Sequence, residues 1–302
     1  MQNIRVFNLP LNISMSEILQ WSTGLNGYKK HTLDNNNFTT ELTECQFEPG
    51  RSMDNIFLDH LVDRPSGPVE LLYSGGLDSE FILMSLMKNN IPFEVMTMII
   101  QVRSITLNVT DLYYSEKFCR ENDIKQHMFY LDTTELFDSG KYLEYLVPYN
   151  IIEPHVASHF WLIEQCQSYP IFGGDWPWLQ KHKKVLSPLR LSYSVYERFM
   201  EEKNIKGIGN MIGHSFESSY KFIELQKQID EENVPILKQQ MYNMPFPRIR
   251  SYGWEQSHQF FSINKYKTEL LKHVGIPKSN IIWGEQIKTL IESDTNTNHL
   301  FE

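Results

Sequence analysis

Cysteine is scarce in this chain: Cys45, Cys119 and Cys166 are odd in number, far apart and never in a CxxC pair. That excludes a disulfide scaffold and a sequence-local zinc knot, and it fits a reducing compartment. Long apolar runs are missing too, since none approaches the ~18 residues of a membrane span. The first residues, MQNIRVFNLPLNIS, have neither the basic start nor the apolar stretch of a signal peptide. The expectation is a cytoplasmic protein with no membrane partner, in which the sequons at Asn12, Asn37 and Asn108 carry no sugar. Positive charge is also short. Lys and Arg number 28 against 37 Asp and Glu, a formal net charge of −9. Such a chain is poorly suited to sequence-independent nucleic-acid binding, so nucleic acid is not the expected partner. There is no GxxxxGK[ST] and no HExxH anywhere.

What is present is an ordinary globular composition, 41 % hydrophobic and 13 % aromatic, enough for a sizeable core. The most informative stretch is VELLYSGGLDSEFILMSLMKNN, residues 69–90. Val69 to Tyr73 is an apolar, β-favouring run that predicts a buried strand. Ser74-Gly75-Gly76-Leu77-Asp78-Ser79 breaks it, and the apolar residues from Phe81 to Met87 predict a helix buried on most sides. Strand, glycine turn, helix is a layout for holding a polyanion. Glycine lets the backbone approach phosphate oxygens, and the N–H groups at a helix start carry partial positive charge. Ser74 and Ser79 offer hydroxyls. Asp78, a negative charge beside phosphate, makes sense if Mg²⁺ sits between the two.

This segment resembles the pyrophosphate loop, SGGxDS, of the PP-loop (N-type) ATP pyrophosphatases, with every fixed position matched. The resemblance implies a doubly wound parallel α/β sheet of the adenine nucleotide alpha-hydrolase-like kind. It also implies ATP and Mg²⁺ as cofactors, cleavage between the α and β phosphates, and adenylation of a substrate oxygen. Ser74, Gly75, Gly76, Leu77, Asp78 and Ser79 would hold the nucleotide, with the adenine against the backbone near Met98 to Gln101.

The surrounding pattern supports that fold. Pro92 to Ile100 and Gln126 to Leu131 read as further buried strands, with a helix from Asp111 to Asp123 between them. Helical stretches follow from Thr133 and from Pro154 to about Ser168, and Tyr169-Pro-Ile-Phe-Gly-Gly reads as a fourth strand and its turn. This alternation predicts a parallel sheet with right-handed crossovers. Three parts are expected: a small N-terminal extension or domain at 1–66, the nucleotide core at 67–190, and a mainly helical substrate-side region at 191–302. In that last part Tyr193–Lys203, Ser218–Asp230 and Asn264–His273 are helix candidates. In the first, Ile4–Leu9 reads as an edge strand, Met15–Trp21 as a helix capped by Ser14, and Asp34–Thr40 as a loop.

Other candidates are each weighed against a plainer role. Gly173-Gly174-Asp175 follows the fourth strand and looks like a reduced version of the turn that contacts pyrophosphate, magnesium and substrate in the asparagine-synthetase branch. Asp175 is read there as a metal ligand or a base, or as a capping residue. Trp176 and Trp178 line a pocket or wedge the core. Adenylation needs positive charge at the α-phosphorus, and Lys265, then Lys267, in SINKYKTELL resemble the late Lys/Arg-bearing helix of that branch. Lys181, Lys183, Lys184 and Arg190, soon after Asp175, are further candidates for that charge, with the KHKK run read rather as surface. His155 and His159, four apart in HVASH, lack a third metal ligand and read as structural, as does His214. Gly207-Ile-Gly-Asn-Met-Ile-Gly213 has the wrong spacing for a dinucleotide fingerprint and reads as a flexible loop near the substrate.

Absences choose among the family's reactions. The cysteines do not form the reactive or zinc-binding sets of its sulfur-transferring and nitrile-forming members, and a glutaminase domain with an early cysteine nucleophile is not expected. The expected activity is an AMP-forming ligase resembling the synthetase domain of asparagine synthetase. A carboxylate or amide oxygen of a small molecule would be adenylated, then attacked by an amine or ammonia, with a separate amidotransferase subunit as a possible partner. The alternatives are a PP-loop enzyme acting on a purine or tRNA base and a non-catalytic ATP- or AMP-binding regulator.

Overall fold

The computed structural model describes residues 17–22, 28–34, 37–42, 50–62, 64, 66–174, 192–229, 233–244, 263–274, 278–282, 285, 286 and 289. Ile4–Leu9, Asp175, Trp176, Trp178 and the basic run from Lys181 to Arg190 lie outside those residues.

The first strands form a meander: β1 (Glu17–Ser22), β2 (Tyr28–Asp34) and β3 (Asn37–Leu42), each antiparallel to the next. This corrects two expectations. Residues 17–22 are a strand, not the end of a helix over Met15–Trp21, because Glu17 to Ser22 pair residue for residue with Leu33 to Tyr28. A capping pattern is a local preference, and tertiary pairing overrides it. Asn37 to Thr40, expected within a loop, pairs with β2 on one edge.

Helix α1 (Met53–His60) starts at Ser52, whose side chain accepts from Asn55 N. The core begins with β4 (Val69–Leu72), followed by α2 (Leu77–Lys88), β5 (Phe93–Val102), the short β6 (Ile105–Thr106), α3 (Val109–Glu121) and β7 (Gln126–Asp132). Two short helices, α4 (Thr133–Asp138) and α5 (Lys141–Leu146), lead to α6 (Val156–Ile163) and β8 (Tyr169–Ile171). Helix α6 was expected to reach about Ser168 and stops five residues sooner. The buried Glu70 carboxylate on β4 accepts from the backbone N–H groups of Gln167 (2.9 Å) and Ser168 (2.7 Å), drawing that backbone out of the helix.

Strands β7, β5, β4 and β8 lie in that spatial order and are parallel. In chain order this is third, second, first, fourth, a doubly wound α/β sheet whose direction of winding reverses between β4 and β8. Strand residues alternate between two apolar layers. Val69, Leu71 and Tyr73 join a cluster with α1, α2 and residues 208–242, while Leu72 and Ile100 join one with α4, α5, α6 and residues 195–200. Burying both faces is what makes a parallel strand read as a continuous apolar run.

The last part holds α7 (Ser192–Glu202), α8 (Phe216–Gln228), α9 (Val234–Met241), α10 (Ile263–Val274) and β9 (Lys278–Ile282). β9 was not foreseen. It pairs in parallel with β3 and completes the four-stranded sheet begun by residues 17–42. Likewise α1, placed by sequence in the N-terminal extension, packs into the core: Ile56 and Phe57 are buried beside Phe81 and Phe222. No helix among the described residues is long and apolar enough to cross a membrane.

Candidate functional site

In an open parallel sheet the ligand crevice lies outside the carboxyl ends of the strands, where the winding reverses. Here that point falls between the ends of β4 and β8, so residues 73–79 and 172–174 face it.

The first of these segments is braced from below. Tyr73 N donates to Met96 O (2.9 Å), Thr97 Oγ1 donates to Tyr73 O (2.9 Å), and the Tyr73 hydroxyl donates to the buried Glu80 carboxylate (2.7 Å). The chain then turns at Gly75, whose φ of +83° suits glycine. A Cβ there would sit 2.3 Å from Asp111 O on α3, so the bend is also pressed against a neighbouring helix. Gly76 is the N-cap of α2 and contributes no side chain to cap it. The first-turn amides of Leu77, Asp78 and Ser79 consequently have no acceptor within their own helix. Ser74 and Ser79, foreseen as phosphate donors, hold the bend's shape. Ser74 Oγ accepts from Gly76 N (3.2 Å), Ser79 Oγ donates to Gly76 O (3.1 Å), and the two hydroxyls are 3.2 Å apart.

The second segment supplies room. A Cβ on Gly173 would lie 3.9 Å from Ser79 N and 3.7 Å from Ile82 Cδ1, so its missing side chain leaves space beside the α2 amides. Helix-start amides, a glycine on the facing strand end and the positive pole of a 12-residue helix make a setting that suits an anion.

Magnesium on Asp78 is a different matter. The carboxylate is already engaged at both oxygens: Oδ2 takes the Lys238 ammonium and Oδ1 accepts from the Tyr242 hydroxyl (2.5 Å). Among the described residues no group of three His, Cys, Asp or Glu side chains converges to hold a metal. The donor set at Asp78 thus does not suit direct ligation of Mg²⁺, which wants several oxygens in octahedral array.

Lys238 is the residue that sequence reading missed. Its side chain is 5 % exposed, on α9, 160 positions from Asp78. The signal for its helix was present: Asn233 caps Ile236 N (3.3 Å) and a proline follows in the first turn. The partner was not legible. Tyr242, one turn on, stacks on Phe81 of α2 at 4.3 Å and 7° between planes, which fixes α9 over the bend.

Met98 was expected to line the adenine, but its carbonyl accepts from Asn108 Nδ2 (2.8 Å), while Ile100 N donates to Asn108 Oδ1 (3.0 Å). The strand edge reserved for the base is filled by a carboxamide. Lys265 and Lys267 lie on α10. Lys265 is exposed beside the Tyr266 ring (5.2 Å), and Lys267 pairs with Glu153 (2.9 Å). Asp175 lies just past the described turn.

Two other expectations resolve structurally. His159 joins an aromatic cluster, with Nδ1 2.7 Å from the Tyr196 hydroxyl and its ring 4.9 Å from Phe172. Burial, with His155 second, pushes its pKa down to about 3 and keeps it neutral. Gly207 to Gly213 is not a flexible loop. It runs along β8, with Ile208 N donating to Pro170 O (2.9 Å), Phe172 N to Ile208 O (2.8 Å) and Met211 N to Phe172 O (2.9 Å). Cys119 is buried, and burial aided by Glu80 pushes its thiol up to about 11, away from thiolate chemistry.

No family model matches this sequence, and none of the curated proteins matches it. Among solved structures it is similar to a predicted subunit of tRNA methyltransferase from Methanocaldococcus jannaschii, at 19 % identity and a TM-score of 0.33, over 51 % of this chain and 73 % of that one. It is also similar to the U34-tRNA thiolase NcsA from Methanococcus maripaludis, described with its [4Fe-4S] cluster, at 13 % identity and a TM-score of 0.36, over 82 % of this chain and 79 % of that one.

Proposed function

We propose that this chain binds ATP by its outer phosphates in the bend at Gly75-Gly76 and cleaves it between the α and β phosphates, passing AMP to a substrate oxygen. The observation that carries this reading is the start of α2, which no side chain caps, directly after a positive-φ glycine and at the point where the sheet reverses. The Leu77, Asp78 and Ser79 amides would take the departing pyrophosphate, adding N–H donors as negative charge builds on the leaving oxygen. Lys238, paired with Asp78, would offer the phosphates an ammonium donor, a role that sequence reading sought in Lys265 and Lys267. An in-line attack by the acceptor oxygen on the α-phosphorus would then leave an adenylate for an amine, ammonia or another nucleophile to displace. Magnesium, when it accompanies the nucleotide, supplies charge neutralisation on the phosphates themselves.

Two acceptor classes follow. One is a small carboxylate or amide, as in asparagine-synthetase-like ligases. The other is a purine or tRNA base, the class that agrees with the tRNA-directed descriptions of the two similar structures.

The test is to incubate the full chain with MgATP and either a metabolite pool with ammonia or total tRNA, and to separate the nucleotide products. AMP with pyrophosphate is expected, in one arm alone, and lost in Ser74→Ala. ADP with phosphate, or no cleavage in either arm, would overturn the reading.

A further inference from the structure

We infer that the Lys238 ammonium stands where a divalent cation would otherwise sit on Asp78, so that the acidic residue of the bend is neutralised by the protein itself. A carboxylate one residue into the helix, beside amides suited to a polyanion, repels that polyanion unless a cation intervenes. The expected cation is a metal. The structure puts an ammonium there.

Three observations give the substitution weight. Lys238 is not a mobile surface lysine: its side chain is 5 % exposed, against 24 % for Asp78. A lysine so far out of water must keep a carboxylate partner, because a lone buried charge is costly. The second oxygen of Asp78 is held as well, by the Tyr242 hydroxyl at 2.5 Å. Tyr242 is itself buried and stacked on Phe81, a residue of the same helix that carries Asp78. Lys238 lies on α9 and Tyr242, four positions on, is the residue that ends it, so the docking of a single helix sets both contacts.

The chemistry follows from the donor count. An ammonium has three N–H groups and can donate to Asp78 and to a phosphate oxygen together. Asp78 then orients Lys238 toward the bend, and Lys238 cancels the repulsion that Asp78 would exert. Any metal needed for turnover travels on the nucleotide. A Lys–Asp pair that only fastens α9 to α2 would make no such claim about metal.

This inference shares its phosphate arm with the function proposed above, so its main test is independent of nucleotide. Mn²⁺ is titrated into the full chain and followed by electron paramagnetic resonance. Wild type is expected to show no Mn²⁺ site that disappears in Asp78→Asn. Lys238→Met, which keeps length and removes charge, is expected to gain one such site, absent again from Lys238→Met/Asp78→Asn, while Lys238→Arg gains none. An Asp78-dependent site in wild type, or no gain in a folded Lys238→Met, would overturn the inference. Should Lys238→Met fail to fold, the comparison of wild type with Asp78→Asn still decides. In the second arm, inorganic tripolyphosphate binding is measured in EDTA. Wild type is expected to bind without metal, and Lys238→Met to bind at least roughly ten-fold more weakly. Binding that appears only with metal would also overturn the inference. If tripolyphosphate binds neither with metal nor without it, the ATP reading fails, and the Mn²⁺ arm still judges Lys238.

Discussion

Two glycine bends stand at the carboxyl edge of the sheet, one after β4 and one after β8, and they use the same residue for different ends. At Ser74-Gly75-Gly76 the positive-φ glycine turns the chain into a helix start that no side chain caps. At Phe172-Gly173-Gly174 it brings the backbone against buried packing: a Cβ on Gly174 would fall 1.8 Å from Asn210 Oδ1, and Asn210 is fully buried on the segment that runs along β8. Both positive-φ glycines are demanded by crowding, and the first leads directly into a helix start that no side chain caps. A double glycine in sequence therefore signals close approach of backbone. At Gly75 what approaches is the Asp111 carbonyl of α3, and at Gly174 it is the Asn210 side chain.

The sharpest way to break the comparison is Gly75→Ala. Its methyl would meet the Asp111 carbonyl of a helix, which cannot swing aside, at an unfavourable φ. The urea midpoint is expected to drop by the equivalent of about 3 kcal/mol. A loss under about 1 kcal/mol would mean that α3 is not pressed on the bend.

Next comes pH. The second bend rests on Phe172, whose ring abuts His159. With its pKa pushed to about 3 by burial, the folded chain keeps His159 neutral, while the unfolded chain takes up a proton below its ordinary value near ~6.5. The stability this residue contributes is whole above ~6.5 and falls as pH drops toward 3. At about pH 5 the loss is roughly 2 kcal/mol. His159→Gln should flatten this part of the curve, and an unchanged slope would show that His159 is protonated in the fold.

Gly174→Ala is expected to cost roughly 2 kcal/mol, because its methyl would meet the buried Asn210 side chain, whose Oδ1 already accepts from Gly213 N, and Asn210 Cα at 2.9 Å, at an unfavourable φ. Asn210→Ala should recover part of that loss in the double variant. Strict additivity would deny the contact.

The smallest effect on stability is expected from Gly173→Ala, within about 0.5 kcal/mol, since its methyl meets only ordinary contacts. That methyl lies beside Ser79 N, so tripolyphosphate binding should weaken while the urea midpoint holds. Unchanged binding would place the phosphates away from the α2 amides.

Legibility follows the same division. Val69 to Lys88 could be read because strand run, glycine break and helix run are local signals, each expressed within a few residues. The alternation of β5, α3, β7 and β8 was legible for the same reason. Met15–Trp21 misled because its helix-start pattern competes with cross-strand partners that only the folded meander supplies. The end of α6 was hidden because Glu70, about a hundred positions earlier, decides it. Asn108 read only as a sequon, yet it occupies the strand edge assigned to the base.

By itself, then, the sequence determined a parallel α/β core and the glycine bend that opens its first helix, since both rest on short-range periodicity and on glycine's missing side chain. Only the tertiary structure decided what faces that place. Lys238 and Tyr242 reach Asp78 through the packing of α9 on α2, and no local rule links residues 160 positions apart. Their pairing is set by which faces the core buries together.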